Sequence, residues 1–199
     1  MRLLLIGASG DVGRAALAEL APRHEIVPVG RDGGGLRADL TDRDSLWAMY
    51  RDAGPVDGVI CCAGPVYFGP LQGMTDADMR VGLNGKLLGQ IRVVIEGIDH
   101  VADGGSFTLT SGVLDREPVR GGVGAAVANG GLAGFVRAAA QDMPRGLRVN
   151  VISPGLLDVS VPRYGNMFPG HEPVPAERVG RAYARAVEGA GTGNVIVVG

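Results

Sequence analysis

The chain is predicted to fold as an α/β protein, a doubly wound parallel sheet with helices on both faces. Two observations carry that expectation. Apolar runs of strand length alternate with segments of helical period along all 199 residues, the pattern of βαβ units. A glycine-rich turn also joins the first apolar run to the first helical segment, the place where such folds meet a ligand.

The elements follow in order. Leu3–Ile6 forms the first strand, and Gly7-Ala8-Ser9-Gly10-Asp11-Val12-Gly13 leads into a helix through Leu20, stopped by Pro22. Glu25–Val29 is the second strand. A short third strand lies near Leu36-Arg37-Ala38, before a helix capped by Thr41 that carries Leu46, Trp47 and Tyr50. Val56–Cys62 is a continuous apolar run, suited to a strand covered on both faces. Thr75 to Asp78 resembles a capping box with Asp in place of Glu, and opens a helix through Leu83, Leu87, Ile91, Val94 and Ile98. Ser106–Thr110 and Arg148–Ile152 are the fifth and sixth strands, separated by a helix over Val123–Asp142. A late helix starts at Pro175-Ala176-Glu177, and Val195–Val198 completes seven strands. No repeat or linker divides this pattern, so residues 1–199 are expected to form one domain.

Composition excludes several function classes. A formal net charge of −2 offers no basic field for nucleic acid. The longest apolar runs fall far short of the roughly 20 residues that span a bilayer. Met1 to Ile6 is interrupted by Gly7 and Asp11 too early to act as a secretion signal. The two cysteines, Cys61 and Cys62, are neighbours and match no metal-site spacing, so no metal and a reducing, cytoplasmic setting are expected.

The glycine turn carries the chemistry. Gly7 serves the tight turn, Gly10 admits a pyrophosphate, and Gly13 lets helix and strand pack closely. The helix N-terminus at Asp11 and Val12 then presents free N–H groups to an anion. The alternative is a tight turn with no ligand. At the end of the second strand, Arg31 suits the 2′-phosphate of NADP, with Asp32 beside it as a competitor that suits NAD; NADP(H) is favoured over NAD(H).

With these residues in view, the sequence resembles the short-chain dehydrogenase/reductase family over essentially its whole length. Besides the glycine turn with Ser9, Asp39-Leu40 resembles the family's Asp-hydrophobic pair beside the adenine. Cys61-Cys62-Ala63-Gly64 resembles its Asn-Asn-Ala-Gly motif, with both Asn replaced. Arg148-Val149-Asn150 with Pro154-Gly155 resembles its segment at the nicotinamide end. The resemblance implies a Rossmann-type sheet of order 3-2-1-4-5-6-7, with a small substrate lobe near residues 156–175. It implies an NAD(P)-dependent oxidoreductase acting on a small carbonyl or alcohol.

The family's catalytic set is a Ser, a Tyr-x-x-x-Lys and an Asn on the preceding helix. Here the run Gly130-Gly131-Leu132-Ala133-Gly134 aligns Asn129 with the Lys and Ala125 with the Tyr. No Tyr lies between Tyr67 and Tyr164. The family Ser falls on Gly112 by spacing, or on Ser111 by a slide of one residue. Lys86 stands where the family has Asn, and it is the only lysine in the chain. A desolvated lysine exchanges protons near neutrality and Arg does not, so Lys86 is a candidate to orient the cofactor or act as the acid, with Ser111 and Asn129 beside it. The alternative is an ordinary surface lysine.

Three further residues are candidates for the substrate side. Tyr67, on a Pro- and Gly-rich loop, is a candidate donor or a packing aromatic. Tyr164 and His171 either reach a substrate or order the lobe. A second function class fits as well: a catalytically silent NADP(H)-binding sensor, favoured by the missing Tyr-x-x-x-Lys. Isomerase or lyase chemistry on the same scaffold is a third. Finally, small residues recur in two central helices, Gly82, Gly85 and Gly89 in one, and Gly124, Ala125, Ala128, Gly131 and Gly134 in the other. Gly costs a helix about 1 kcal/mol relative to Ala, so a homodimer or homotetramer packed through these helices is expected, against a chain that is simply Gly-rich.

Overall fold

The computed structural model describes residues 1–32 and 35–199. Its elements are β1 (Arg2–Ile6), α1 (Asp11–Leu20), β2 (Glu25–Gly30), β3 (Leu36–Arg37), α2 (Arg43–Ala53), β4 (Val56–Cys61), α3 (Asp76–Gly82) and α4 (Leu88–Gly97). They continue with β5 (Val101–Thr110), α5 (Val123–Ala139), β6 (Arg148–Pro154), α6 (Val161–Tyr164), α7 (Ala176–Glu188) and β7 (Val195–Val198). The strands form one seven-stranded sheet of order β3-β2-β1-β4-β5-β6-β7, parallel throughout. This is the architecture expected from the sequence.

The double winding is visible in the alternation of β1. Leu4 and Ile6 join one buried cluster with Leu46, Met49 and Tyr50 of α2, Val93 and Val94 of α4, and Leu132 and Val136 of α5. Leu3 and Leu5 join a second cluster on the other face, with Ala16 and Leu20 of α1 and Val179, Tyr183 and Val187 of α7. Successive side chains of a strand point to opposite faces, so a continuous apolar run needs a core on each side. Burying one Leu fully contributes about 1.5–3 kcal/mol, and all three leucines of β1 are fully buried.

Local signals held with small corrections. Asp78 does close the capping box: its carboxylate accepts from the Thr75 N–H (2.9 Å), and the Thr75 hydroxyl accepts from the Asp78 N–H (3.2 Å). The cap of α2 is Asp42, which accepts from the Asp44 N–H (2.9 Å), and not Thr41. Thr41 instead donates from both its N–H and its hydroxyl to Asp39. The helix expected to run unbroken from Asp76 to Ile98 contains a π-helical segment, Leu83–Leu87, between α3 and α4.

The helix glycines have a use within the chain. A Cβ on Gly82 would stand 3.1 Å from Gly124 O, one on Gly85 2.7 Å from Pro65, one on Gly89 2.9 Å from Leu40, and one on Gly131 2.7 Å from Leu87. These close approaches join α3 and the π-helical segment to α5, and the π-helical segment and α4 to the loops of Pro65 and Leu40. That corrects the reason given for an interface: of the residues proposed for it, only Gly134 faces open space.

Candidate active site

The cleft is built from the C-terminal ends of the strands. Gly7 leaves β1 at φ +84° and its N–H donates to Val29 O (2.9 Å), a left-handed conformation that favours glycine. A Cβ on Gly13 would lie 2.1 Å from Gly7 O, so the turn tolerates nothing larger there, while Gly10 has its nearest neighbour at 3.6 Å. Among the described residues no side chain caps α1. Its first N–H groups are therefore left for a ligand, as a diphosphate requires.

Asp11 faces away from those N–H groups. Its carboxylate accepts from the Ser160 hydroxyl (2.7 Å) and Arg14 (2.7 Å), and pairs with Arg163. The Ser160 hydrogen bond holds the Asp11 carboxyl below its ordinary pKa, against the effect of burial. Asp11 thus ties the lobe of residues 156–175 to α1 across a separate cavity of about 670 Å³ that includes Val159 and Ala176.

Beside the glycine turn a cavity of about 630 Å³ brings together Gly7, Ser9, Arg31, Asp32, Asp39, Leu40, Ala63 and Gly64. Arg31 and Asp32 pair with each other there (3.1 Å), both well exposed. The Thr41 hydroxyl, more than its N–H, holds Asp39 below the ordinary carboxylate range. Val12 and Cys62 lie beneath, packed against the second core cluster, and burial pushes the Cys62 thiol up to about 11. That thiol is inert packing at neutral pH. Pro154 ends β6 with its carbonyl facing Gly112. A Cβ on Gly155 would meet Val174 at 2.9 Å, which ties the start of the lobe to the sheet.

The π-helical segment sets Lys86 against Gly64, which lines the cavity beside the glycine turn. Such single turns recur at functional sites because they rotate a side chain out of the regular helical row. Gly64, at φ +139°, closes directly onto its stem: a Cβ there would stand 2.7 Å from Lys86 Cα. The Lys86 ammonium donates to Ser111 O (3.0 Å). Burial lowers its pKa to about 8, opposed by the charges of Cys61 and Asp115.

Ser111 is only 4% exposed, and its hydroxyl faces Ile152 O (3.4 Å). Its carbonyl, not its hydroxyl, meets Lys86. Asn129 is 2% exposed and donates to Gly112 O (3.2 Å), while its Oδ1 is buried with no donor among the described residues. Lys86 and Asn129 therefore grip consecutive carbonyls of the turn after β5. Ala125 lies in an apolar cluster with Val113 and Leu114, against which Val66, Phe68, Val119 and Phe168 pack.

The substrate-side candidates are more scattered. The Tyr67 ring folds over Gly69, where a Cβ would stand 2.3 Å from its hydroxyl. Tyr164 is exposed under the Arg163 guanidinium, and His171 packs edge-on to Phe168 near Glu117. Among the described residues none of the three forms a hydrogen bond, ion pair or ring contact with Lys86, Ser111 or Asn129. Reasoning from the sequence missed Gln90. It is fully buried four residues after Lys86, and a polar residue in helical register with the apolar Val93, Val94 and Gly97 was the available signal.

Among the described residues no helix is long and apolar enough to cross a membrane. Residues 6–193 match the family described as Enoyl-(Acyl carrier protein) reductase. The chain is 29% identical over 149 residues to the hydroxynaphthalene reductase of Aspergillus fumigatus, 72% of this chain and 55% of that one. It is 29% identical over 122 residues to the cyclic-di-GMP-binding biofilm dispersal mediator protein of Escherichia coli strain K12, 60% of this chain and 52% of that one. It thus spans about half the length of these curated relatives. Among solved structures, the protein lin1944 from Listeria innocua superposes over the whole of both chains, with TM-score 0.98 and 41% identity. A small-chain dehydrogenase crystallised with NADPH shares the fold, with TM-score 0.86 and 24% identity over 100% of this chain and 96% of that one. The glycine turn, the strand order and a match across 6–193 agree: the chain belongs to the short-chain dehydrogenase/reductase family.

Proposed function

We propose that this protein is an NADP(H)-dependent oxidoreductase acting on a small carbonyl or alcohol, with Lys86 as its proton donor. The observation that carries the reading is the Lys86 amine, held 3.0 Å from Ser111 O beside the cavity-lining Gly64, with its pKa lowered to about 8.

The residues present fit a nicotinamide dinucleotide. The uncapped N-terminus of α1 and the Gly7–Gly13 contact form a cradle for the diphosphate, and the cavity beside Arg31, Asp39 and Leu40 suits the adenosine half. Arg31 supports NADP(H) over NAD(H), with Asp32 competing for its guanidinium. The NADPH and NADP seen in other dehydrogenases of this fold agree with that choice. The unpartnered Asn129 Oδ1 suits a ligand hydroxyl.

When bound, the dinucleotide supplies a hydride to the carbonyl carbon. Lys86 donates one proton to the carbonyl oxygen as negative charge develops there, so C=O becomes CH–OH and the ammonium becomes a neutral amine. The lowered pKa makes that transfer easier than from an ordinary lysine, and the amine regains its proton from water. Ser111 O orients the donor through its hydrogen bond, and Asn129 steadies the neighbouring Gly112 carbonyl.

The test is NADPH binding by fluorescence, followed by NADPH oxidation over a panel of aldehydes, ketones and quinones. Binding with turnover that Lys86→Met abolishes supports the reading; absence of affinity for either nucleotide refutes it. Binding without oxidation favours the second reading, a silent NADP(H)-binding protein, for which the apolar surroundings of Ala125 speak.

Self-association and location complete the proposal. Leu88 and Ile95 of α4 and Val127 of α5 are exposed, and Gly134 of α5 is open, which suits a homodimer or homotetramer, and light scattering tests it. Two free cysteines suit a reducing cytoplasm.

A further inference from the structure

β4 and β5 separate where the cleft opens. Their ladder last pairs Ile60 with Thr108, and beyond it the strands fork. Parallel strands that part leave main-chain groups without strand partners, and a buried group of that kind needs another.

Gln90 fills the fork. It is 0% exposed. Its Oε1 accepts from the Thr110 N–H (2.8 Å), and its Nε2 donates to Thr110 O (2.9 Å) and Ala63 O (3.2 Å). The side-chain amide thus stands in for a peptide unit between the two strands. Below it the Thr110 hydroxyl donates to Cys61 O (2.6 Å) and meets the Tyr183 hydroxyl (2.6 Å).

Both strand ends gripped by Gln90 lead into the site. Ala63 lines the dinucleotide cavity, and the residue after Thr110 is Ser111, whose carbonyl receives the Lys86 amine. We propose that Gln90 is a positioning residue: it holds the Thr110–Ser111 main chain, and through it the Lys86 amine, in the orientation that proton transfer requires. This rests on the reading of Lys86 as donor. Its own contribution is the rigid fork that keeps the Ser111 carbonyl beneath the amine and water away from it.

The consequence is measurable without turnover, because Lys86 is the only lysine. Protein labelled with ¹³C at lysine Cε reports the Lys86 titration as one resonance. The charged or titratable neighbours acting on that amine are Cys61 and Asp115, and both are untouched by changes at Gln90.

Gln90→Met keeps the bulk and removes the amide. It is expected to raise the Lys86 midpoint by about one pH unit as water enters. It should also lower kcat by about tenfold with a smaller change in KM for NADPH. Thr110→Val is the control: it removes the hydroxyl contacts and lowers Tm but leaves the Gln90 grip on the main chain, so the midpoint should stay in place. If Gln90→Met does not fold, Gln90→Asn, one methylene too short to span the fork, gives the same readout. A folded Gln90 variant with an unmoved midpoint overturns the proposal, as does an equal movement in Thr110→Val. A wild-type midpoint near 10.5 instead overturns the donor reading beneath it.

Discussion

Burial of a single amine makes a prediction that links stability to chemistry. Lys86 is held at a pKa of about 8, against 10.5 for an ordinary lysine, because burial desolvates its charged form. At pH 7.5 about a quarter of the amines are neutral, against about one in a thousand for an exposed lysine. The folded pKa lies below the unfolded one, so the unfolded chain binds the extra proton between these values. Stability therefore rises as the pH climbs from about 8 to 10.5, and the penalty is fully present below pH 8, on the order of 3 kcal/mol. Lys86→Met removes the penalty and leaves Ser111 O without its donor. The net expectation at pH 7 is a gain of about 1–2 kcal/mol, or roughly 3–6 °C in Tm, together with loss of carbonyl reduction. Differential scanning calorimetry at pH 7 and pH 10 measures the first, and the single ¹³Cε titration measures the pKa directly. A wild-type midpoint within about half a unit of 10.5, or a variant that is less stable at both pH values, would refute this account of the buried amine.

Other perturbations have equally definite outcomes. Gly13→Ala places a methyl 2.1 Å from Gly7 O, and should cost about 1–3 kcal/mol in chemical denaturation while abolishing nucleotide binding in what remains folded. Asp11→Asn removes the charge that pairs with Arg163 and accepts from Ser160, so limited proteolysis should cut the 156–175 lobe faster, with little change at α1. In the wild type the Asp11 pKa is lowered, so its contribution is present above the unfolded value of 3.8 and is lost as the pH falls through the lower folded value; lobe protection should disappear in acid with it. Arg31→Ala should narrow the preference for NADPH over NADH by about tenfold in paired Kd measurements, since an exposed guanidinium on a phosphate contributes about 1–2 kcal/mol.

The sheet was legible because its signals are local and redundant. β1 announces itself by four apolar residues before a glycine turn, and α3 by a capping box that tolerates Asp78 for Glu. The turn from Gly7 to Gly13 was legible too, since it needs only glycines at fixed spacing. The π-helical turn was not, because the apolar period of Leu83 and Leu87 fits an α-helix equally well and the extra residue is accommodated by Gly64 and Pro65 in another segment. The helix glycines misled for a related reason: smallness is visible in sequence, but the partner that requires it is not.

By itself, then, the chain specified which segments become strands and helices and where a glycine turn meets a helix end, since each depends on residues close in sequence or at fixed spacing. Only the tertiary structure decided that Lys86 points inward, that Ser111 offers its carbonyl in place of its hydroxyl, and that Gln90 bridges two strand ends. Those contacts join residues 20 to 41 positions apart. They exist because burial leaves each polar group one place to find a partner, and which place that is depends on how the whole sheet closes.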